Sequence, residues 1–269
     1  MTVSAIRPVF PAIQRKRLLV PVGRIAVGAA CLALWQFGTI AIGPRWLPGP
    51  ADTVGRIWEL AISGELFRDT IVTFAEAATG MIVGGVAGAA LPFALRLSPR
   101  LLAALEPLIS AAFGLPKLAL APLFILWFGI GITTKVMFVA SIVFFLLFYN
   151  GLAGILSIDP RLVAMLRVAG ASEWIINREI VWNTAKPFLF SGLKIALPRA
   201  LSGAVVGEFI AADSGLGWYI QNARSINDAT GVIAGVAIVT VLVMAVNAAL
   251  QRVQARSLAW RPIAKDMAI

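Results

Sequence analysis

Long uncharged runs separated by short charged clusters set the pattern of this chain. Arg15-Lys16-Arg17 precedes an apolar run from about Leu18 to Gly43, interrupted only by Arg24. A cleavable signal has a core of about 7–15 apolar residues, so this longer run reads as a retained first span. Pro44 to Asp69 is expected as a loop, with Pro48, Pro50, Asp52, Arg56, Glu59, Glu65 and Arg68. A second span follows over Thr70–Leu95 and stops at Arg96-Leu97-Ser98-Pro99-Arg100. The third, Leu101–Phe128, contains Pro107, Pro116 and Pro122. Prolines there imply kinks or a break, allowed at membrane depth where protein or a cavity resatisfies the backbone. Gly129 to Lys135 is a short turn, and Val136–Leu156 a fourth span. The fifth covers Pro187–Ala212, a loop runs from Asp213 to Asp228, and the sixth spans Ala229–Leu250. The pattern predicts an all-α, polytopic membrane protein of six transmembrane helices. Its expected parts are an N-terminal tail (1–17), a membrane domain (18–250) and a C-terminal tail (251–269).

The stretch 157–186 does not belong in lipid. It holds Asp159, Arg161, Arg167, Glu173, Arg178, Glu179 and Lys186. Its apolar residues nevertheless recur at helical spacing. Asp159 can cap a helix whose first turn suits Pro160. Leu162, Val163, Met165, Leu166 and Ala169 form a stripe, and Gly170 can take the left-handed conformation that stops a helix. Ser172 can cap a second helix, with Glu173 favourably placed near its positive end. Two readings stand for this pair: a docking element for a soluble partner, or an amphipathic hairpin lying on the lipid interface.

Composition supports the membrane class. Hydrophobic residues make up 59%, charged residues 13%, and mean hydropathy is +0.89. A soluble domain carries about a quarter charged residues. The net charge of +10 would suggest nucleic acid in a soluble protein, but here placement matters more. Six spans put both termini on one side, and that side carries fifteen basic residues against five opposite. Both ends are therefore expected in the cytoplasm, and nucleic acid is not needed as a partner. Histidine is absent, removing the usual metal ligand and general base, and no metal site is expected. Cys31 is the single cysteine, so no intramolecular disulfide forms. Gly28-Ala29-Ala30-Cys31 loosely resembles a lipoprotein cleavage site, but Gly28 stands where a large aliphatic residue belongs.

Two sets inside the spans carry candidate roles. Gly80, Gly84 and Gly88 stack on one helix face and would let a neighbouring backbone approach, although glycine is common in membrane helices. Lys117, Lys194, Arg199 and Glu208 are charges at membrane depth, each costing about 2.5–3.5 kcal/mol at the bilayer centre on insertion scales. They line a passage for an anionic or polar solute, or they pair structurally, for example a cation with Glu208.

These residues resemble the membrane subunits of ATP-binding-cassette importers of the nitrate, sulfonate and taurine type. That family's cytoplasmic signature reads Glu-Ala-Ala, three residues, Gly, nine residues, then Ile-x-Leu-Pro. Gly170, Ala171, Ser172 and Ile180 match; Ala164 stands where the family has Glu, and Trp182-Asn183 where it has Leu-Pro. Collinear blocks extend the similarity over about Trp46–Asn222. They are Leu47-Pro48-Gly49-Pro50, Pro116 to Leu123, Trp127 to Gly131, Gly207-Glu208-Phe209-Ile210 and Ser214-Gly215-Leu216-Gly217. The resemblance implies a permease, not an enzyme, in the bacterial inner membrane. It would pair with a second permease copy, the same chain or a different one, within membrane lipid. Two cytoplasmic ATPase subunits and an extracytoplasmic substrate-binding protein would complete it.

ATP and Mg would bind the ATPase and not this chain, which has no Gly-Lys pair for a phosphate-cradling loop. The ATPase contact is expected over Ala164, Arg167, Gly170, Ala171, Ser172 and Ile180. The implied solutes are nitrate, sulfonates, taurine, bicarbonate, phthalate and thiamine pyrimidine precursors. The rival class is an ATP-independent secondary transporter or channel, for which internal repeats would be usual; no clear repeat relates the halves.

Overall fold

The structure is a computed structural model that describes residues 11–257. The ends of both expected tails, with Arg7, Arg261 and Lys265, lie outside the described residues. Among the described residues all regular structure is helical. The helices are α1 (Pro11–Ile42), α2 (Pro50–Ser63), α3 (Glu65–Leu95), α4 (Pro99–Gly114), α5 (Ala121–Phe128) and α6 (Ile132–Leu156). They continue with α7 (Pro160–Val168), α8 (Glu173–Ile176), α9 (Trp182–Ala211), α10 (Leu216–Ser225) and α11 (Ala229–Ser257).

The segment expected as a loop before the second span contains α2 instead. Pro50 opens that helix at a position where no amide is needed, and the Asp52 carboxylate accepts the Gly49 N–H at 3.3 Å. Gly64, at φ +80°, ends it and lets α3 start at once. The loop expected after the fifth span likewise contains α10.

Three long helices form the core. α6 lies between α3 and α9 and is the most enclosed, with Val139, Val143 and Phe148 fully buried. Ala77 of α3 and Ala196, Ala200 and Ala204 of α9 close against it. A methyl built on Gly80 would lie 2.6 Å from Val139 Cβ and 2.8 Å from the Val136 carbonyl. Gly84 and Gly88 meet the backbone of Ala140 and Phe144 in the same way. These three glycines put α3 and α6 in backbone contact.

Contacts rise in step along both helices, Gly80 with Val139, Gly88 with Phe144 and Pro92 with Gly151, so α3 and α6 run parallel. The chain between them must therefore return across the bundle. It does so in two pieces, α4 and a segment from Lys117 through α5, bent by 90°. The break falls at Leu115-Pro116, and Pro122 sits in the first turn of α5. Among the described residues five helices are long and apolar enough to cross a membrane, and the bent pair, counted as one broken span, brings the number to six.

The helix that holds the expected fifth span begins earlier than Pro187. α8 passes through one π-type turn, Asn177–Val181, directly into α9, giving an unbroken helical run from Glu173 to Ala211. Pro187 lies inside it. The side-chain amide of Asn183 donates to the Glu179 carbonyl at 2.9 Å and to that of Arg178 at 3.4 Å, alongside the π-type turn. α11 packs on α2, α9 and α10, while α1 touches little beyond α2.

Candidate functional site: a hairpin at one end, a buried ionic cluster at the other

The hairpin is assembled by local chemistry. Asp159 Oδ1 accepts the Arg161 N–H at 2.8 Å, and Pro160 opens α7. At its end the Ala171 N–H donates to the Leu166 carbonyl (2.9 Å) and the Gly170 N–H to that of Arg167 (3.0 Å), with Gly170 at φ +81°. This is the Schellman ending, and the residues that flank it, Leu166 and Ala171, both pack against the buried cluster of Ile155, Ile176, Val181 and Ala185. Ser172 Oγ accepts the Ile175 N–H at 3.4 Å to start α8. Ile180, half-buried, sits in the π-type turn, and Ala164 and Arg167 are exposed on α7. The bend thus presents apolar side chains to its surroundings: Met165, Trp174 and Val168, the last 91% exposed.

Charged residues brace the hairpin against the membrane helices. Arg167 grips Glu173 Oε1 with Nη2 (2.7 Å) and Nε (2.8 Å). Arg96, between α3 and α4, reaches Asn177 Oδ1 at 2.5 Å and Glu173 Oε2 at 3.7 Å. A groove of about 750 Å³ lies between them, bordered by Arg96, Ala164, Arg167 and Glu173. Glu173 therefore supplies a carboxylate to the groove that Ala164 borders.

The opposite end holds the ionic cluster. Lys135, at the start of α6, pairs with Glu76 of α3, and both side chains are buried. Beside them Glu208 of α9 accepts from Thr73 Oγ1 at 2.7 Å and from the Gly217 N–H at 2.6 Å. The Leu216 N–H donates to Thr73 Oγ1 at 2.9 Å, and the Gly215 N–H to Asp69 Oδ1 at 3.4 Å. Glu208 thus faces protein, and no Lys194 or Arg199 pairing to it occurs among the described residues.

The other intramembrane cations separate into two kinds. Lys117 bonds the Ala112 carbonyl, lies 3.4 Å from that of Phe113, and sits 4.3 Å from the centre of the Phe145 ring. It satisfies the carbonyl end that the break leaves open, where a cation also complements the helix dipole. Lys194 and Arg199 are exposed on α9. Five residues apart, they point about 140° from one another around a helix with 3.6 residues per turn.

Sequence reasoning overlooked Glu76, although a lone carboxylate in an apolar run is itself a signal. Lys135 was assigned to a turn, and its partner could not be found because pairing across sixty residues depends on the parallel α3–α6 register. The Arg96 brace had no sequence signal.

The bundle with its structured hairpin at one end has the fold of a known transporter subunit. Over 74% of this chain and 96% of the other, it superposes on a chain of the inward-facing MetNI methionine ABC transporter, with TM-score 0.58 and 19% identity. Residues 80–258 match the model of the binding-protein-dependent transport system inner membrane component family, and the chain belongs to that family.

It is 36% identical over 230 residues to the riboflavin transport system permease protein of Chloroflexus aurantiacus, covering 84% of this chain and 86% of that relative. It is 30% identical over 235 residues to a putative aliphatic sulfonates transport permease protein of Bacillus subtilis, covering 87% and 85%. The protein is a multi-pass inner-membrane permease of an ABC importer, a transport subunit and not an enzyme. Family membership implies ATPase and substrate-binding partners. Among the described residues no cluster of three or more metal-ligating side chains occurs.

Proposed function

We propose that the hairpin at Gly170 is the surface through which a separate ATPase drives this permease, and that the solute is a small polar or anionic organic molecule. The observation that carries the coupling role is the exposed apolar bend of Met165, Val168 and Trp174, held rigid from below. A hairpin lying on lipid would need no ion-pair brace; this one is tied by Arg96 and Arg167 to α8, which runs unbroken into α9. Force applied at the bend reaches a core span without passing through a flexible joint. Ala164, Arg167, Gly170, Ala171, Ser172 and Ile180 form or support that surface. The charge asymmetry of the sequence supports a cytoplasmic side for the hairpin and both termini, with the ionic cluster on the opposite face.

Of the candidate pathway residues Lys194 and Arg199 are the exposed cations, because the Lys117 ammonium and the Glu208 carboxylate are both engaged within the fold. A second permease, identical or different, would complete the passage. The relatives named for riboflavin and aliphatic sulfonates mark the chemical range, polar and in part anionic. ATP and Mg belong to the partner ATPase.

The test is a cysteine placed at Val168 in a background with Cys31 replaced by serine. In the transporter purified with its ATPase in mild detergent, a short bifunctional cross-linker should join Val168→Cys to the ATPase. The same cysteine labelled by a lipid-soluble reagent, with no cross-link to a co-purified ATPase, would place the hairpin on the membrane surface and refute the coupling role.

A further inference from the structure

α10 starts without a cap of its own. Its N-cap is Gly215, at φ +107°, which has no side chain to offer. The first amides of a helix have no partner within it, and when buried they require an acceptor from elsewhere. Here the acceptors come from two different spans. The Leu216 N–H goes to Thr73 of α3 and the Gly217 N–H to Glu208 of α9, and hydroxyl and carboxylate are joined to each other at 2.7 Å. Asp69 of α3 takes the preceding amide, that of Gly215.

The packing admits no side chain at Gly217. A methyl built on Gly217 would lie 2.8 Å from both Cβ and Oε2 of Glu208. Thr73, Glu208 and Asp69 are all buried, so water cannot replace the acceptors they provide. At its far end α10 leads into α11 through Asp228, which pairs with Arg56 of α2 at 2.8 Å. The placement of α10 therefore fixes the layer that closes this end of the bundle.

We propose that Thr73 and Glu208 are positioning residues that act as a latch: they fasten α10 to α3 and α9 together, so that α10 travels with those two spans as one body during the transport cycle. Glu208 then acts through α10 and touches no solute. The fastening goes beyond the coupling role of the hairpin and holds whichever solute is carried; it rests on the transport reading only in requiring a cycle.

The experiment uses the complete transporter with its ATPase in lipid nanodiscs. With Cys31→Ser as background, spin labels are placed at Phe67→Cys on α3 and Asn222→Cys on α10, and in a second sample at Ala90→Cys on α3 and Ala153→Cys on α6. Distance distributions are recorded without nucleotide and with ATP. The latch predicts one narrow 67–222 distance that is the same in both states. Glu208→Ala and Thr73→Val should abolish that narrow distribution while leaving 90–153 narrow. Glu208→Gln, which keeps an oxygen acceptor for Gly217, should restore it.

Three results would overturn the proposal. A 67–222 distance that shifts with ATP in the unmodified transporter means α10 does not move with α3. A narrow distribution in Glu208→Ala means packing alone holds the helix. Broadening of both pairs means the two residues serve general folding. None of these readouts depends on whether the Val168 cross-link forms.

Discussion

Gly84 gives the sharpest test of how the bundle is held together. Its neighbour in the stripe shows the scale: a methyl on Gly80 would sit 2.6 Å from Val139 Cβ. Carbon atoms in contact rest about 3.5–4.0 Å apart, so α3 and α6 must separate locally by about 1 Å to admit it. At Gly84 the atoms met belong to the Ala140 backbone, which cannot swing aside. Overpacking costs about 1–3 kcal/mol, and a clash with backbone belongs at the upper end, so Gly84→Ala is expected to destabilise by about 3 kcal/mol.

The adjacent glycine is a matched control. A methyl on Gly85 would meet Leu147 Cδ1 at 3.2 Å and Val143 Cγ1 at 3.8 Å, the movable ends of side chains. Gly85→Ala should therefore cost less than about 1 kcal/mol while losing the same glycine flexibility. Equilibrium unfolding of the purified permease in mixed micelles, titrated with a denaturing detergent, measures both variants against the parent. Equal losses in the two, or a Gly84→Ala variant within about 0.5 kcal/mol of the parent, would refute the backbone-contact argument.

The buried pair predicts strong non-additivity. Glu76→Ala or Lys135→Ala alone should cost about 3–5 kcal/mol by stranding a charge, and the double variant should recover part of that loss in the same unfolding assay. Gly170 has no atom within 4 Å of a built methyl, so its cost is backbone conformation alone, about 1–2 kcal/mol for a residue with a Cβ at φ +81°. Gly170→Val should lower solute transported per ATP hydrolysed in reconstituted transporter, and Gly170→Asn, which tolerates the left-handed region, should transport close to the parent. Asp228 both pairs with Arg56 and caps α11 by accepting the Gly231 N–H at 2.9 Å. Asp228→Ala should cost about 1–2 kcal/mol by unfolding, while Asp228→Ser, keeping a cap and losing the charge, should recover most of it.

The hairpin was legible residue by residue because its determinants are local. Asp159, Pro160, Gly170 and Ser172 each act within a few residues of chain, and each sits where its own chemistry directs. Span number was legible from apolar run length, which reports thickness of the lipid to be crossed. α10 was missed because it is short and takes its cap from Thr73 and Glu208 of other spans, whereas α2 carries local signals in Pro50, Asp52 and Gly64 that its charged residues made read as a loop. Pro187 marks no helix end: the helix that holds it starts upstream and runs through the π-type turn Asn177–Val181, a continuity that proline in the sequence argues against. For Glu208 the sequence left two readings open, a passage or a structural pairing, and could not name its partners Thr73 and Gly217. Whether a membrane carboxylate faces solute or protein depends on which helix end folds over it.

The central claim is that this chain moves solute only when an ATPase works against its hairpin. Sealed proteoliposomes containing the permease, its ATPase and its binding protein should accumulate solute uphill when ATP is present on the ATPase side, and stop when ATP is withdrawn. Uphill accumulation by vesicles holding the permease and no ATPase would contradict the claim.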